Sequence, residues 1–338
     1  MWCSGTSYGQ AKSGRGQLKV TGRPFVVVEY NVENLFDCEH DSLKDDLQYT
    51  PDGASHWTHG RYWRKLNAVA RALVAAGTDG SDFVPPALIG LCEVENDSVL
   101  YALTHRSLLR GARYEYVMTN SPDRRGVDVA LLYSPFSFRL TEWQGLRVDT
   151  LDGMRPTRDI LYAKGEIRGS QRPLHVFVVH APSRSGGERP TRPFRMHVMH
   201  RLMAAVDSLR HQDSESQILI MGDFNDYSDS PSLHYLVEQG FVEVSEGAMG
   251  VMQRDEKGRS LVCGTYRYQG AWGSLDHVMV SQSLSRYFAE CYVVDDDMLV
   301  EKDQKYGGVK PRRSFLGAFS REGFSDHLPL RAAFRFGE

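Results

Sequence analysis

Short polar motifs stand directly after apolar runs in this chain, and they collect acidic, amide and histidine side chains. Val26-Val27-Val28-Glu29-Tyr30 ends in Asn31, with Glu33 and Asn34 just after, and Leu88-Ile89-Gly90-Leu91-Cys92 leads into Glu93 and Glu95. His180 closes the run Val176-Phe177-Val178-Val179, and Ile218-Leu219-Ile220-Met221 opens into Gly222-Asp223-Phe224-Asn225-Asp226. Asp276-His277 follows Ser274-Leu275, and Ser325-Asp326-His327 precedes a final apolar run. The carboxylates of Glu93 and Asp326 and the amide oxygens of Asn31 and Asn225 are hard donors. They suit Mg²⁺ or Mn²⁺, which keep open positions for water and phosphate oxygens. A metal so held neutralises phosphoryl charge and stabilises a leaving oxygen. An attacking water still needs a carboxylate or His to orient and deprotonate it. A His beside a carboxylate is held in one tautomer with its pKa raised.

Each residue alone has a plainer reading. An Asn after a strand is usually a turn residue; Glu93 could be merely solvated, His180 a satisfied core histidine, and Asp276 and Asp326 turn caps. Asp223 and Asn225 resist that reading, because a Gly-Asp turn followed by an amide concentrates polar groups where burial is costly. The recurrence at one strand end after another is the signal.

Such side chains need a rigid frame that aims them at one point from distant positions. The β-rich runs 25–30, 87–91, 127–133, 174–180, 217–221, 275–280 and 330–336 predict strands. Helical spacing predicts a helix over 60–76, through Trp63, Leu66, Val69, Ala70, Leu73 and Val74, and another over 191–209, through Phe194, Val198, Leu202, Val206 and Leu209. A shorter helix starts from Ser230 as N-cap, with Pro231 in its first turn, and ends before Gly240. The early alternation of strand and helix indicates a layered α/β protein. The segments 114–119 and 127–133 follow too closely for a crossover and must pair antiparallel, so the sheets are mixed. No linker rich in Pro, Gly or Ser divides the chain. One catalytic domain over 24–338 is expected, behind a polar, flexible N-terminal tail over 1–23.

The 338 residues are 41% hydrophobic and 25% charged, enough for a large core. A net charge of −3 excludes a general basic attraction to nucleic acid, so any polyanion must meet local patches such as Arg184, Arg189, Arg192 and Arg195. Cys3, Cys38, Cys92, Cys263 and Cys291 show no zinc spacing, and a reducing compartment suits their odd count. No apolar run reaches membrane-helix length. The polar start lacks the hydrophobic region of a signal peptide, so the compartment reads as cytoplasmic, or exported if a signal was trimmed.

Taken in order, the blocks VVVEYNVENLFD, LIGLCEVEN, RGVDVALLY, VFVVHAPSR, ILIMGDFND, SLDHVMV and FSDHLPL resemble the endonuclease/exonuclease/phosphatase superfamily over residues 24–336. The resemblance implies a four-layer α/β sandwich, DNase I-like, of two mixed sheets packed face to face with helices outside. It implies metal binding by Asn31 and Glu93, with Asp326 a further candidate ligand, and Mg²⁺ or Mn²⁺ as cofactor. Asp223 resembles the carboxylate that positions or deprotonates water, and Asn225 its partner on the phosphate. His327 resembles the histidine on the scissile phosphate, polarised by Asp276. Members differ over which of Asp223 and His327 is the base and over one metal or two. His180 stands where DNase-like and sphingomyelinase-like members carry His and AP endonucleases carry Tyr, which lowers an abasic-site repair reading. The segments RRGVDVALLY and GTYRYQGAWGSLDH resemble a bacterial branch of unassigned substrate, making Arg125, Asp128 and Arg155 candidate substrate-facing residues. Tyr266, Tyr268 and Trp272 could stack on a base or sugar, or form the exposed side of a hairpin. The expected partner is a phosphoester substrate, either nucleic acid or a small or lipid phosphoester, with no stable protein partner. A non-catalytic phosphate- or nucleic-acid-binding protein of the same fold is the alternative, disfavoured because the Glu, GDFN and SDH blocks are all present.

Overall fold

The computed structural model describes residues 24–79, 82–168, 170 and 172–336; the expected tail over 1–23 lies outside the described residues. Two six-stranded sheets dominate. The first runs, in spatial order, Phe288–Val293, Leu330–Phe334, Phe25–Leu35, Leu88–Val94, Asp128–Tyr133 and Glu115–Met118. The second runs Phe241–Glu243, Asp276–Ser281, Gln217–Asp223, Pro173–His180, Ile160–Ile167 and Phe138–Leu146.

Both sheets share one plan. Each is antiparallel except for one central parallel pair, Phe25–Leu35 with Leu88–Val94 and Pro173–His180 with Gln217–Asp223. A parallel pair needs a long crossover, and the helices His59–Ala76 and Glu188–Gln212 lie within the two connections. Strands covered on both faces lose the polar alternation and become continuous apolar runs. That is why the central strands carry Val26 to Val28 and Ile218 to Met221, all essentially inaccessible.

Along Gln217–Asp223 the alternation sorts the layers. Leu219 and Met221 join the core between the sheets, with Val176, Val178, Val278 and Val280. Ile218 and Ile220 face outward with Phe177 and Val179, against Val198, Met199, Leu202 and Val206 of the second crossover helix. On the other side Leu66, Val69, Ala70 and Leu73 of helix His59–Ala76 are buried, the face expected from their spacing. The result is helix, sheet, sheet, helix: a four-layer α/β sandwich. The layers come close where Gly90 faces Met221, since a Cβ on Gly90 would lie 3.0 Å from the methionine Sδ and Cε. The antiparallel pairing of Glu115–Met118 with Asp128–Tyr133 is present. Among the described residues no helix is long and apolar enough to cross a membrane.

Candidate active site

The central strands of both sheets end at one cavity of about 720 Å³. Asn31 and Glu93 reach it from the first sheet, His180 and Asp223 from the second. In the second sheet Asp223 stands opposite His180 on one side and Asp276 on the other. Gly222 makes that ending possible. Its φ is +145°, and a Cβ there would come within 1.8 Å of the Val179 carbonyl oxygen, so only glycine fits before Asp223. In the first sheet the register shifts around Glu93, whose φ is +67°, and this bulge turns its carboxylate toward the cavity. Glu33, Asn34 and Asn225 also hold left-handed backbone. Strained non-glycine residues of this kind gather at functional sites.

Hydrogen bonds tie the two sheets at this end. Asn31 Nδ2 donates to Asp223 Oδ2 at 2.9 Å, and the Asn225 backbone N–H donates to Asp223 Oδ1 at 2.8 Å. Asn225 Nδ2 donates to the Ala181 carbonyl at 3.1 Å. Ser325 Oγ donates to the Asn31 carbonyl at 2.6 Å and accepts the His327 backbone N–H at 3.1 Å. His327 Nδ1 donates to Asp276 Oδ2 at 2.7 Å, and the Thr265 hydroxyl donates to the same oxygen. Tyr266 lies against the His327 ring, with centroids 4.9 Å apart.

Burial and charge set distinct protonation states. Burial alone would lower the pKa of His327, but Asp276 and its hydrogen bond, then Asp223 and Asp326, hold it well above the ordinary value, as an imidazolium. His180 goes the other way: burial first, then the Arg158, Arg125 and His327 charges, keep it neutral. Its Nε2 is 3.6 Å from Asp223 Oδ2, and its Nδ1 is buried without a partner. Burial pushes Asp223 up, His327 opposes and Asp276 adds, leaving it at about 7. Burial would raise Glu93, but Arg125, Arg158 and His327 outweigh it and hold the carboxylate below its usual range.

The structure therefore brings Asn31, Glu93, Arg125, His180, Asp223, Asn225, Asp326 and His327 to one cavity, with Asp276 directly behind His327. Arg125 reaches Glu93 at 3.2 Å. Asp128 and Arg155 are not brought there. Asp128 is buried and clamps a loop, accepting from the Thr119 hydroxyl at 2.6 Å and the Ser121 N–H at 3.0 Å. Arg155 is exposed and outside the lining. Arg158, three positions on, turns inward instead, bonding Asp123 Oδ2 at 3.1 Å and the Ala181 carbonyl at 2.7 Å. The arginine run 184–195 is not one basic track. Arg195 is inaccessible and pairs with Asp226 at 2.8 Å, Arg192 pairs with Glu188 at 2.7 Å, and Arg184 stacks over Tyr227 at the cavity.

Three acidic or basic members were given no role by the motif reading. Glu33 and Arg313 line the cavity, and Arg313 Nη2 lies 3.1 Å from both Glu33 and Asp326. Glu29 is fully buried, and burial, then Asp276 and Asp223, push its pKa well above the usual carboxyl range. Glu29 and Glu33 stand two residues either side of Asn31 in a single strand, the one available clue.

The donor set suits a hard cation. Asn31, Glu93 and Asp326 present amide and carboxylate oxygens to one cavity. A different trio, Asp223, Asp276 and His327, has ligand atoms within 4.8 Å of one another. That trio is already internally bonded, and an imidazolium offers no lone pair to a metal. The oxygen set is engaged as well, Asn31 Oδ1 accepting the Glu33 N–H at 3.0 Å and Glu93 and Asp326 meeting Arg125 and Arg313.

A profile of the Endonuclease/Exonuclease/phosphatase family matches residues 26–335. No curated protein sequence gives a significant match. Among solved structures, the mannosyl-6-phosphatase of Bacteroides thetaiotaomicron aligns with TM-score 0.61 and 15% identity over 92% of this chain and 100% of its own. The catalytic domain of human Nocturnin aligns with TM-score 0.55 and 16% identity, over 92% and 94%. Truncated TDP2 of Caenorhabditis elegans aligns with TM-score 0.52 and 16% identity, over 93% and 98%.

Proposed function

The chain belongs to the Endonuclease/Exonuclease/phosphatase family, and from that premise we propose that it hydrolyses a phosphoester by in-line attack of water. Glu93, Asn31 and Asp326 would hold Mg²⁺ or Mn²⁺, which when bound neutralises phosphoryl charge and stabilises the leaving oxygen. Asp223 is the base. Its elevated pKa suits uptake of a proton from water near neutral pH, and Asn31 and the Asn225 N–H fix both its oxygens. Neutral His180 orients the water without competing for its proton. His327, kept charged by Asp276, offers its Nε2–H to a non-bridging phosphate oxygen and stabilises charge there as the bond breaks. Arg125 and Arg313 supply further positive charge at the rim. Asp128 and Arg155 have no part in this scheme.

One observation carries the reading: Glu93, Asp223 and His327, distant in sequence, line a single cavity. Its size is that of a small-molecule site, and Tyr227, Tyr266 and Tyr268 line it. This favours a small phosphoester, such as a sugar or nucleoside phosphate, over duplex nucleic acid. The mannosyl-6-phosphatase among its structural neighbours makes hexose 6-phosphates sensible first probes. The test is turnover of aryl phosphodiesters, aryl phosphomonoesters and hexose phosphates with Mg²⁺ or Mn²⁺. A chelator should abolish it, and Asp223→Ala and His327→Ala should each remove it in a folded chain. Turnover that persists in both variants would reject the mechanism.

A further inference from the structure

A second cavity, of about 310 Å³, lies beside helix His59–Ala76 and is lined by Arg61, Arg64, Lys65, Arg71, Arg312 and Arg321 among others. Four of the helix's cationic residues, 61, 64, 65 and 71, recur at helical spacing and so project from one face. Glu322 is the one carboxylate in the lining. It pairs with Arg64 at 3.4 Å from an exposed position, and Arg321 is engaged by Glu301 at 3.0 Å.

The remaining guanidiniums are not neutralised. Among the described residues Arg61, Arg71 and Arg312 have no carboxylate partner. Arg61 Nη1 donates only to the Ser55 and His56 carbonyls, at 2.6 and 2.7 Å. Arg71 and Arg312 both lie over the Phe324 ring, 5.3 and 5.9 Å from its centroid. Arg71 Nη2 also donates to Met298 Sδ at 3.3 Å, and a cation held over a ring face keeps its remaining N–H donors available. Lys65 forms the floor, 4% exposed, and its ammonium donates to Ser314 Oγ at 2.7 Å and to the Phe324 carbonyl at 2.5 Å; burial lowers its pKa to about 8, against the Glu33 and Asp326 carboxylates on the far side of the wall. Converging like charges around one ring costs free energy, in a chain whose net charge is −3. A multiply charged oxyanion would relieve it, with forked donors matched to tetrahedral oxygens.

We propose that this cavity is a second phosphate-binding site, which takes a phosphate or diphosphate group on Arg71 and Arg312 and is distinct from the catalytic cavity. It shares a wall with the latter. Arg312 faces one cavity and Arg313 the other, and Ser314, which accepts from Lys65, donates its backbone N–H to Glu33. The assignment does not depend on the catalytic reading.

The test is calorimetric titration of the full chain with inorganic pyrophosphate at fixed ionic strength, with a chelator present. The variants are Arg71→Gln, Arg312→Gln, their combination, and Arg125→Gln at the catalytic rim. The native chain should bind, the double variant should bind about tenfold more weakly or worse, and Arg125→Gln should retain binding. Aryl phosphodiester turnover by the double variant should match that of the native chain. Absence of binding to the native chain, or equal affinity in the double variant, would overturn the site. Circular dichroism melting verifies that the variants are folded, and the single variants serve if the combination is not. Loss of the catalytic reading would appear as absent turnover in every protein while the calorimetric contrast remained.

Discussion

Asp223 shows how much of the chemistry is set by one side chain's surroundings. Its folded pKa, about 7, lies above the ordinary carboxyl value of about 3.9. For a group raised in this way, the associated stability is fully present below the unfolded pKa and is lost as pH rises through the folded one. With metal chelated, Asp223→Asn should therefore melt at a higher temperature than the native chain at pH 8, and the gain should vanish near pH 4. The same variant should lose about 10²- to 10⁴-fold in kcat if Asp223 is the base. Equal melting temperatures at pH 8 would contradict the assigned protonation. Asp223 could be read from the sequence because the GDFN turn places a carboxylate after an unbroken apolar run. Arg158 could not. In MRPTRD nothing in spacing or polarity tells which arginine turns inward, and the choice is made by the Asp123 carboxylate and the Ala181 carbonyl that await it. Asp128 misled for a related reason: a buried acid that clamps a loop and one that faces substrate look the same in one dimension.

At the scale of elements, the second crossover helix does more than cover a sheet. Arg195, inaccessible on its inner face, pairs with Asp226 at the end of the GDFND turn, and Ser232 Oγ donates to the same carboxylate oxygen at 2.6 Å. The helix is thereby locked to the loop that presents Asp223. Removing one partner of a buried pair costs about 3–5 kcal/mol, because the other charge is left unpaired. Arg195→Met should show a loss of that size in denaturant unfolding, and adding Asp226→Asn should recover part of it. No recovery would mean that the arginine acts through packing alone. The strands that escaped the sequence did so for two physical reasons. Phe138–Leu146 is an edge strand whose interior positions are mostly exposed, so burial imposes no alternation on it. Phe288–Val293, at the opposite sheet's edge, is likewise half open. Ile160–Ile167 begins apolar but passes into Lys164-Gly165-Glu166, which breaks the run. Central strands were visible because both faces are covered; the open edges Phe138–Leu146 and Phe288–Val293 were not, though the edge strand Glu115–Met118 was.

At the scale of the whole molecule, each half of the sandwich supplies only part of the site: Asn31, Glu93 and Asp326 from the segments around the first sheet, His180, Asp223 and Asp276 from the second. If Mg²⁺ or Mn²⁺ binds the oxygen set, it binds the assembled chain and not the unfolded one, and so raises the melting temperature. Saturating metal should raise the native melting temperature by several degrees, and Glu93→Gln should reduce that rise while also lowering the metal-free value at neutral pH, because the ionised carboxylate no longer meets Arg125. An undiminished rise would move the metal elsewhere. The residue pattern was enough to expect layered, mixed sheets, and the family resemblance of the ordered blocks implied the four-layer sandwich. Neither could show which atoms touch across the gap, because those distances depend on how two separately formed sheets settle against each other.

That settling has a consequence for how the protein can fail. The Asn31–Asp223 bond spans the seam between the layers, so it works as a feeler gauge for their alignment. A fraction of an ångström of slippage, such as a bulkier residue at Gly90 pressing on Met221 would cause, opens the gauge while the core stays dry. Damage deep in the interlayer would then silence the chemistry in a molecule that still folds, at a cost of about 1–3 kcal/mol in stability.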